Sequence, residues 1–264
     1  MFRGSRRVSG RRCVNLILFE TFEVGQPLLR SDARAMHVLD VLRRVPGDTF
    51  DIGVVNGPRG KGTLQAIRES TLELGFVWGP PLPPPAPVCL IVGLPRPQTA
   101  RKVLQEATTF GVAELHFVAT ERGEPQYAQS TLWSSGEWRR HLLAGAAQAF
   151  DTRMPSVTWG LTLEAVLGAA HPALGADGRP DASTTSGRIA LDNYEASSRL
   201  GACRFSAGEP IVLAVGPERG WGPRDRDHLR EHGFVLAHLG ERVLRAETAA
   251  LAALAIVAAQ SGSM

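Results

Sequence analysis

The chain has 264 residues, 44% of them hydrophobic, enough for one large or two smaller cored domains. Its formal net charge is +3 and its pI about 9.0, a balance that permits an anionic partner without demanding one. Three widely spaced cysteines, Cys13, Cys89 and Cys203, fit neither a disulfide framework nor a zinc spacing and point to a reducing compartment; no segment reaches the roughly 18 apolar residues of a membrane span.

The charge is uneven. Residues 1–80 hold twelve Lys and Arg against eight Asp and Glu, whereas the remainder holds seventeen against eighteen. Arg3, Arg6, Arg7, Arg11 and Arg12 supply much of the excess. Such a run serves as a phosphate-contacting arm or a solvated tail, or marks a start codon placed too early. The apolar stretch after it is too short for a signal peptide and is closed by Glu20. Residues 14–19 read as a strand. Residues 34–44 read as a short helix capped by Ser31 or Asp32, with apolar positions at Met36, Val38, Leu39, Val41 and Leu42. After a Pro46-Gly47-Asp48 turn, 49–55, 62–67 and 71–77 read as short strands, the first two joined by Asn56-Gly57, a hairpin signal. Strands at this spacing predict a small barrel, either a platform for RNA or purely structural. The proline-dense stretch 79–87 can form neither a helix nor a central strand and makes a stiff spacer. The predicted organisation is a domain at 1–80, a linker at 81–87 and a second domain at 88–264.

Beyond the linker, strand and helix alternate. Strands are predicted at 88–93, 114–119, 156–159, 188–191, 210–215 and 234–239, helices at 99–110, 132–150, 163–169 and 224–231, and a flexible loop at 175–187. Alternation argues for a parallel α/β sheet, with ligands at the carboxyl ends of its strands. Three such ends carry turns: LDNYE from Leu191, GPERG from Gly216 and LGERVLR from Leu239. The last opens a helix, 249–259, that is apolar on every side and therefore buried by its own core or by a partner subunit. A glycine turn opening a helix leaves backbone groups free to hold a small molecule; the pattern equally fits a plain strand–turn–helix with surface charges. GPRGKGT lacks Walker spacing and no G-x-G-x-x-G follows a strand, which argues against a nucleoside triphosphatase or an NAD enzyme. The seven histidines are scattered and fall in no zinc-site motif, so no metal is expected.

AVGPERG followed about twenty residues later by LGERVLRAETA resembles the signature of the SPOUT methyltransferases, and more narrowly of the ribosomal RNA small-subunit methyltransferase E family. HVLDVLRRVPGD, GLPRPQTARKVLQEATTFGV and TERG at Thr120 agree with it in order, so the resemblance spans nearly the whole chain. It implies an N-terminal PUA-like RNA-binding β-barrel and a C-terminal parallel-sheet α/β domain threaded as a deep trefoil knot. It also implies a cytoplasmic homodimer that uses S-adenosylmethionine to methylate N3 of a uridine in 16S-type ribosomal RNA. Gly216, Pro217, Glu218 and Gly220 would form one cofactor loop. Leu239, Gly240, Val243, Leu244 and Arg245 would form the knot loop, and Leu191 would begin a third wall. Alignment would carry most of the catalysis. The neutral uridine imide needs a nearby cation or a base, for which Arg122, Arg153 and Arg245 are candidates, with Glu247 as a base. RNA contacts fall to Arg7, His37, Arg43, Arg44 and Lys61.

The chain departs from the family pattern at Arg219, where a glycine is usual, at Glu106, where a lysine is usual, and at Ala147 and Asp151, which replace a glutamate and an arginine around Gln148. These departures leave the cofactor loops intact and bear on how the acceptor is gripped. A ribose 2′-hydroxyl acceptor, or a non-catalytic RNA-binding protein on the same scaffold, stand as alternatives.

Overall fold

A computed structural model of the chain describes residues 15–169, 187–205 and 208–262. Arg7 and, except for Gly187, the loop predicted at 175–187 lie outside the described residues. The chain folds into two compact units, Met1–Leu82 with Phe150–Thr152, and Pro83–Ala149 with Arg153–Met264.

In the first unit, β1 (Ile17–Phe19), β2 (Leu28–Leu29), β3 (Thr49–Val54), β4 (Arg59–Ile67) and β5 (Thr71–Trp78) form one curled sheet in the order β1-β3-β4-β5-β2. β1 runs parallel to β3 and the remaining pairs are antiparallel. β3 turns into β4 at Asn56, which adopts φ 57, as the Asn-Gly pair predicts. Phe50, Ile52, Leu64 and Leu72 project from the inner face and are buried with Ile17, Phe19 and Leu28. Each such side chain contributes roughly 1.5–3 kcal/mol. Thr152, also fully buried, locks the β3–β4 turn: its hydroxyl donates to the Gly57 carbonyl at 2.6 Å and its carbonyl accepts the Asn56 N–H at 2.8 Å.

The helix predicted at 34–44 is regular only in its first turn. α1 (Ala33–Met36) starts at Asp32, whose carboxylate caps the Arg34 N–H at 2.8 Å. The chain then widens into a π-type turn, His37–Val41, in which the Leu42 N–H reaches back to the His37 carbonyl. Arg43 ends it in the left-handed region, φ 52. The widened turn keeps Ala35 and Val38 in the core while the backbone reverses ahead of Pro46.

The second unit is a seven-stranded sheet in which every neighbouring pair is parallel. Its strands are β6 (Val88–Gly93), β7 (Glu114–Ala119), β8 (Ser156–Thr162), β9 (Arg188–Leu191), β10 (Ser198–Arg199), β11 (Ile211–Val215) and β12 (Val235–His238), in the order β10-β12-β9-β11-β6-β7-β8. β6 and β11 are buried along their full length, as central strands covered on both faces must be. Their side chains alternate between two cores. Leu90, Val92, Leu213 and Val215 meet α2 (Pro97–Thr109), α4 (Glu137–Gln148) and α7 (Ala246–Ser261). Cys89, Ile91, Val212 and Ala214 meet α5 (Leu163–Gly168) and α6 (Pro223–Glu231) on the other face. The single helix predicted at 132–150 is instead α3 (Thr131–Ser134) and α4, separated at Gly136, whose φ of 75 no continuous helix tolerates. α7 begins three residues earlier than predicted, at Ala246, so Glu247 sits in its first turn. No helix of the described residues is long and apolar enough to cross a membrane.

Candidate functional site

β9, β11 and β12 end side by side, and the segments that leave them converge. Register places Leu191 beside both Val215 and Ala237. The three following loops, with the start of α7, enclose a cavity of about 400 Å³, within the range of small-molecule sites. Leu191, Gly216, Pro217, Glu218, Gly220, Leu239, Val243, Leu244 and Arg245 all line it, and so does Glu247. Gly240 does not: it follows the lining residue Leu239, and its N–H is turned to His238 Nδ1 at 3.1 Å.

Local chemistry explains why the loops hold this shape. The GPERG segment closes a tight turn, the Gly220 N–H donating to the Pro217 carbonyl at 2.8 Å. Gly220 sits at φ +68, where a Cβ is strained. Gly93, at the end of β6, has no side chain because Pro217 lies where its Cβ would be, 2.4 Å from the proline Cδ. Trp221, fully buried, donates its Nε1–H to the Leu191 carbonyl at 3.0 Å and so ties the second loop to the first.

The first loop has a charged support that sequence reasoning did not single out. Asp192 is 4% exposed, and its carboxylate accepts the Tyr194 N–H at 2.8 Å, the Glu195 N–H at 2.6 Å and Arg226 Nε at 2.8 Å. Burial alone would raise its pKa; the Glu195 N–H, the Arg226 guanidinium and the Tyr194 N–H outweigh that and hold it below the usual carboxylate range. Arg226, 4% exposed, lies with its guanidinium carbon 5.3 Å from the Tyr194 ring centroid. Tyr194 itself is 73% exposed and forms part of the cavity wall. The signal available in the sequence was LDNYE itself, an Asp two and three residues ahead of the N–H groups it caps.

The candidate catalytic residues separate. Arg245, exposed, precedes α7 and lines the cavity. Glu247 is buried, with Lys102 Nζ 3.3 Å away. Its desolvation is outweighed by its own backbone N–H and by Lys102, so its pKa lies below the usual value, which makes it a poor proton acceptor. Arg122 lies in the loop after β7, and its Nη1 donates to the Arg219 carbonyl at 3.3 Å. Arg153 does not join them; its Nη1 donates to the Pro83 and Pro84 carbonyls, both at 2.9 Å, and clamps the proline-rich segment. On the first unit, His37 and Arg44 are half-buried, Arg43 and Lys61 are exposed, and Lys61 pairs with Asp51 at 2.5 Å.

Among the described residues one trio brings metal-ligand atoms within 4.8 Å of one another, Cys89, Glu114 and His116. Burial pushes the Cys89 thiol pKa up, and both His116 nitrogens already face protein partners, Thr158 Oγ1 at 2.7 Å and Glu114 Oε2 at 3.3 Å.

Comparison with known proteins matches residues 82–258 to an RNA methyltransferase domain family. The ribosomal RNA small subunit methyltransferase E of Treponema pallidum is 31% identical over 260 residues, covering 94% of this chain and 92% of that protein. Ribosomal RNA small subunit methyltransferase E 1 of Borreliella burgdorferi is 25% identical over 254 residues, covering 93% and 97%. The Neisseria gonorrhoeae ribosomal RNA small subunit methyltransferase E, solved bound to S-adenosyl methionine, shares the fold at a TM-score of 0.70, with 24% identity and coverage of 92% of this chain and 97% of that one. A probable rRNA-methyltransferase from Porphyromonas gingivalis shares it at 0.73, with 19% identity and coverage of 94% and 99%.

Proposed function

Because the chain belongs to the ribosomal RNA small subunit methyltransferase E family, we propose that it transfers a methyl group from S-adenosylmethionine to N3 of a uridine in 16S-type ribosomal RNA. The observation that carries this reading is the convergence of three strand-end loops on one cavity of about 400 Å³. The cavity suits a bent nucleoside sulfonium in size and in chemistry. Its walls combine apolar side chains at Leu191, Leu239, Val243 and Leu244 with loop backbone groups at Gly216 and Gly220 and a carboxylate at Glu218. The C-terminal unit would be knotted through these loops. The first unit would be a PUA-like barrel that binds RNA through His37, Arg43, Arg44 and Lys61. The part-exposed apolar face of α7, including Leu251, Ala252 and Ala255, would be covered by a second copy of the chain.

S-adenosylmethionine, when bound, supplies an electrophilic methyl carbon on a leaving sulfur, so what the protein must add is alignment and charge. Leu239, Val243 and Leu244 would give the donor an apolar wall. The uridine N3 must shed its proton, and each pKa unit to be overcome costs about 1.36 kcal/mol. The Arg245 guanidinium, on the cavity wall, would lower that cost by facing the developing anion, while Arg122, outside the cavity, is placed for a phosphate. Glu247, held as a carboxylate by Lys102, braces the start of α7 rather than taking the proton.

Calorimetry with S-adenosylmethionine, followed by mass spectrometry of nucleosides from treated small-subunit RNA, tests the reading. The expected results are binding and 3-methyluridine. Absence of binding at millimolar ligand refutes methyl transfer, and 2′-O-methyl products alone refute the N3 assignment.

A further inference from the structure

Arg96, Pro217, Glu218 and Arg219 form a wall between two recesses: one face lines the cavity described above, and the other lines a second recess of about 280 Å³. The rest of that recess comes from Leu94 at the end of β6 and from Arg122, Gly123, Glu124 and Tyr127 after β7. The second set of residues is held in place from behind. The Asp225 carboxylate, which caps the Gly222 N–H at 2.8 Å, also accepts the Glu121 N–H at 3.2 Å, and Glu121 in turn accepts the Arg224 N–H at 3.1 Å. The loop carrying Arg122 is thereby fastened to the start of α6.

Three arginines and two glutamates face this space, leaving it positive. Among the described residues, Arg122 uses one of the five donors of a guanidinium, on the Arg219 carbonyl at 3.3 Å. Arg219 meets Glu124 only at 3.7 Å, with both side chains well exposed, a pair that a better anion can exchange. Arg96 is steadier: its backbone N–H donates to Glu218 Oε1 at 3.1 Å, and its side-chain Nε donates to Thr99 Oγ1 at 3.4 Å and lies 3.7 Å from Glu218 Oε1, which keeps the guanidinium beside the shared wall. Guanidinium groups bind phosphate through paired, charge-assisted hydrogen bonds. Tyr127, half-buried against the core, supplies a π-face on which any base can stack. Apolar Leu94 and Pro217 complete a slot with a charged rim and a flat, apolar interior.

We propose that this second recess receives a single nucleotide of the RNA acceptor, its phosphate taken by Arg122 and Arg219 and its base laid against Tyr127. The proposal rests on the methyl-transfer reading and adds to it a named acceptor site. It also accounts for Arg219, the departure inside the GPERG turn, whose side chain reaches away from the cofactor cavity toward the acceptor and exchanges Glu124 for phosphate.

The test is calorimetry on the full chain saturated with S-adenosylhomocysteine. Uridine 5′-monophosphate is the probe, and uridine and inorganic phosphate are separate arms. The nucleotide should bind, with uridine and phosphate each weaker by about tenfold or more, as expected when base and phosphate contacts add. Arg122→Gln and Arg219→Gln should each weaken the nucleotide about tenfold while leaving S-adenosylhomocysteine affinity within about twofold. Tyr127→Ala should weaken nucleotide and nucleoside alike, and Tyr127→Phe should restore both. Failure of the wild-type protein to bind the nucleotide at millimolar concentration overturns the proposal. So does unchanged nucleotide affinity in the Arg122→Gln/Arg219→Gln double variant, or a parallel fall in S-adenosylhomocysteine affinity, which would assign the recess to the cofactor. Failure to bind S-adenosylhomocysteine, with the nucleotide still bound in an Arg219-dependent way, would overturn the methyl-transfer reading and not this site.

Discussion

Replacing Asp192 with alanine should destabilise the second unit and loosen the strand-end cavity together. The carboxylate is almost fully buried and accepts three hydrogen bonds, one of them from an equally buried guanidinium. Its loss leaves Arg226 with Glu195 at 3.5 Å, a partner that is itself 43% exposed. Removing one member of a buried ion pair costs about 3–5 kcal/mol, most of it from the charge left behind. For a unit of this size each kcal/mol moves the midpoint by roughly 2–4 °C, so a fall of roughly 6–20 °C is expected in a thermal melt. Arg226→Met alone removes the charge instead of stranding it, and Asp192 keeps two backbone donors. The double variant Asp192→Ala/Arg226→Met should therefore be more stable than Asp192→Ala. The pH dependence has a definite sign. The folded Asp192 pKa lies below the ordinary value of about 3.9. Its contribution is therefore complete above that pH and lost as pH falls through the folded value, and the gap between wild type and Asp192→Ala should narrow only below about pH 4. Because the same carboxylate orders the loop carrying Tyr194, calorimetry should also show weaker S-adenosylmethionine binding in both variants that lack Asp192. A melt of Asp192→Ala within about 2 °C of wild type, or no rescue by Arg226→Met, would refute the argument.

Three further substitutions probe other positions. Gly220→Val places a β-branched residue at φ +68, at a cost of about 1–2 kcal/mol, and should abolish measurable S-adenosylmethionine binding by calorimetry while circular dichroism stays native. Arg153→Ala frees the Pro83 and Pro84 carbonyls and should lower stability by about 1–3 kcal/mol in urea titrations, with cofactor affinity unchanged; a matching loss of affinity would return Arg153 to the active site. Lys102→Met removes an exposed partner of Glu247 and should cost less than about 1 kcal/mol at pH 7. That cost should shrink as pH falls below the ordinary glutamate value and vanish only once pH has passed the lowered folded value, as chemical unfolding at neutral and acid pH would show.

What could be read in the sequence follows how local the determinants are. β6 and β7 have the predicted bounds because continuous apolar runs and the glycine at 111 are local signals. The two-residue strands β2 and β10 passed unseen, since Leu28–Leu29 and Ser198–Arg199 carry no period and exist only because β5 and β12 present an edge to them. The break at Gly136 was written in the chain as Ser-Ser-Gly, but the apolar pattern on either side outweighed it. The assignment of Phe150–Thr152 to the first unit was beyond reach: Thr152 is buried by partners almost a hundred residues upstream, at the β3–β4 turn.

The cavity shows the same division at finer grain. That its loops line one cavity was legible because glycines at strand ends and helix starts mark tight backbone turns, and those marks sit in consecutive residues. Its supports were not, because each is a pairing across elements: Asp192 with Arg226, Trp221 with Leu191, Asp225 with Glu121. Arg153 misled for the same reason. A lone arginine in a promising neighbourhood has the same letter whether it faces a substrate or holds two proline carbonyls, and only the partner decides. Arg219 is the converse case, a residue out of pattern whose meaning lies in Glu124 and Arg122 across the turn. Reading function from such a chain therefore depends on the second member of each pair, and the arginines of the shared wall are where that dependence can be measured most directly.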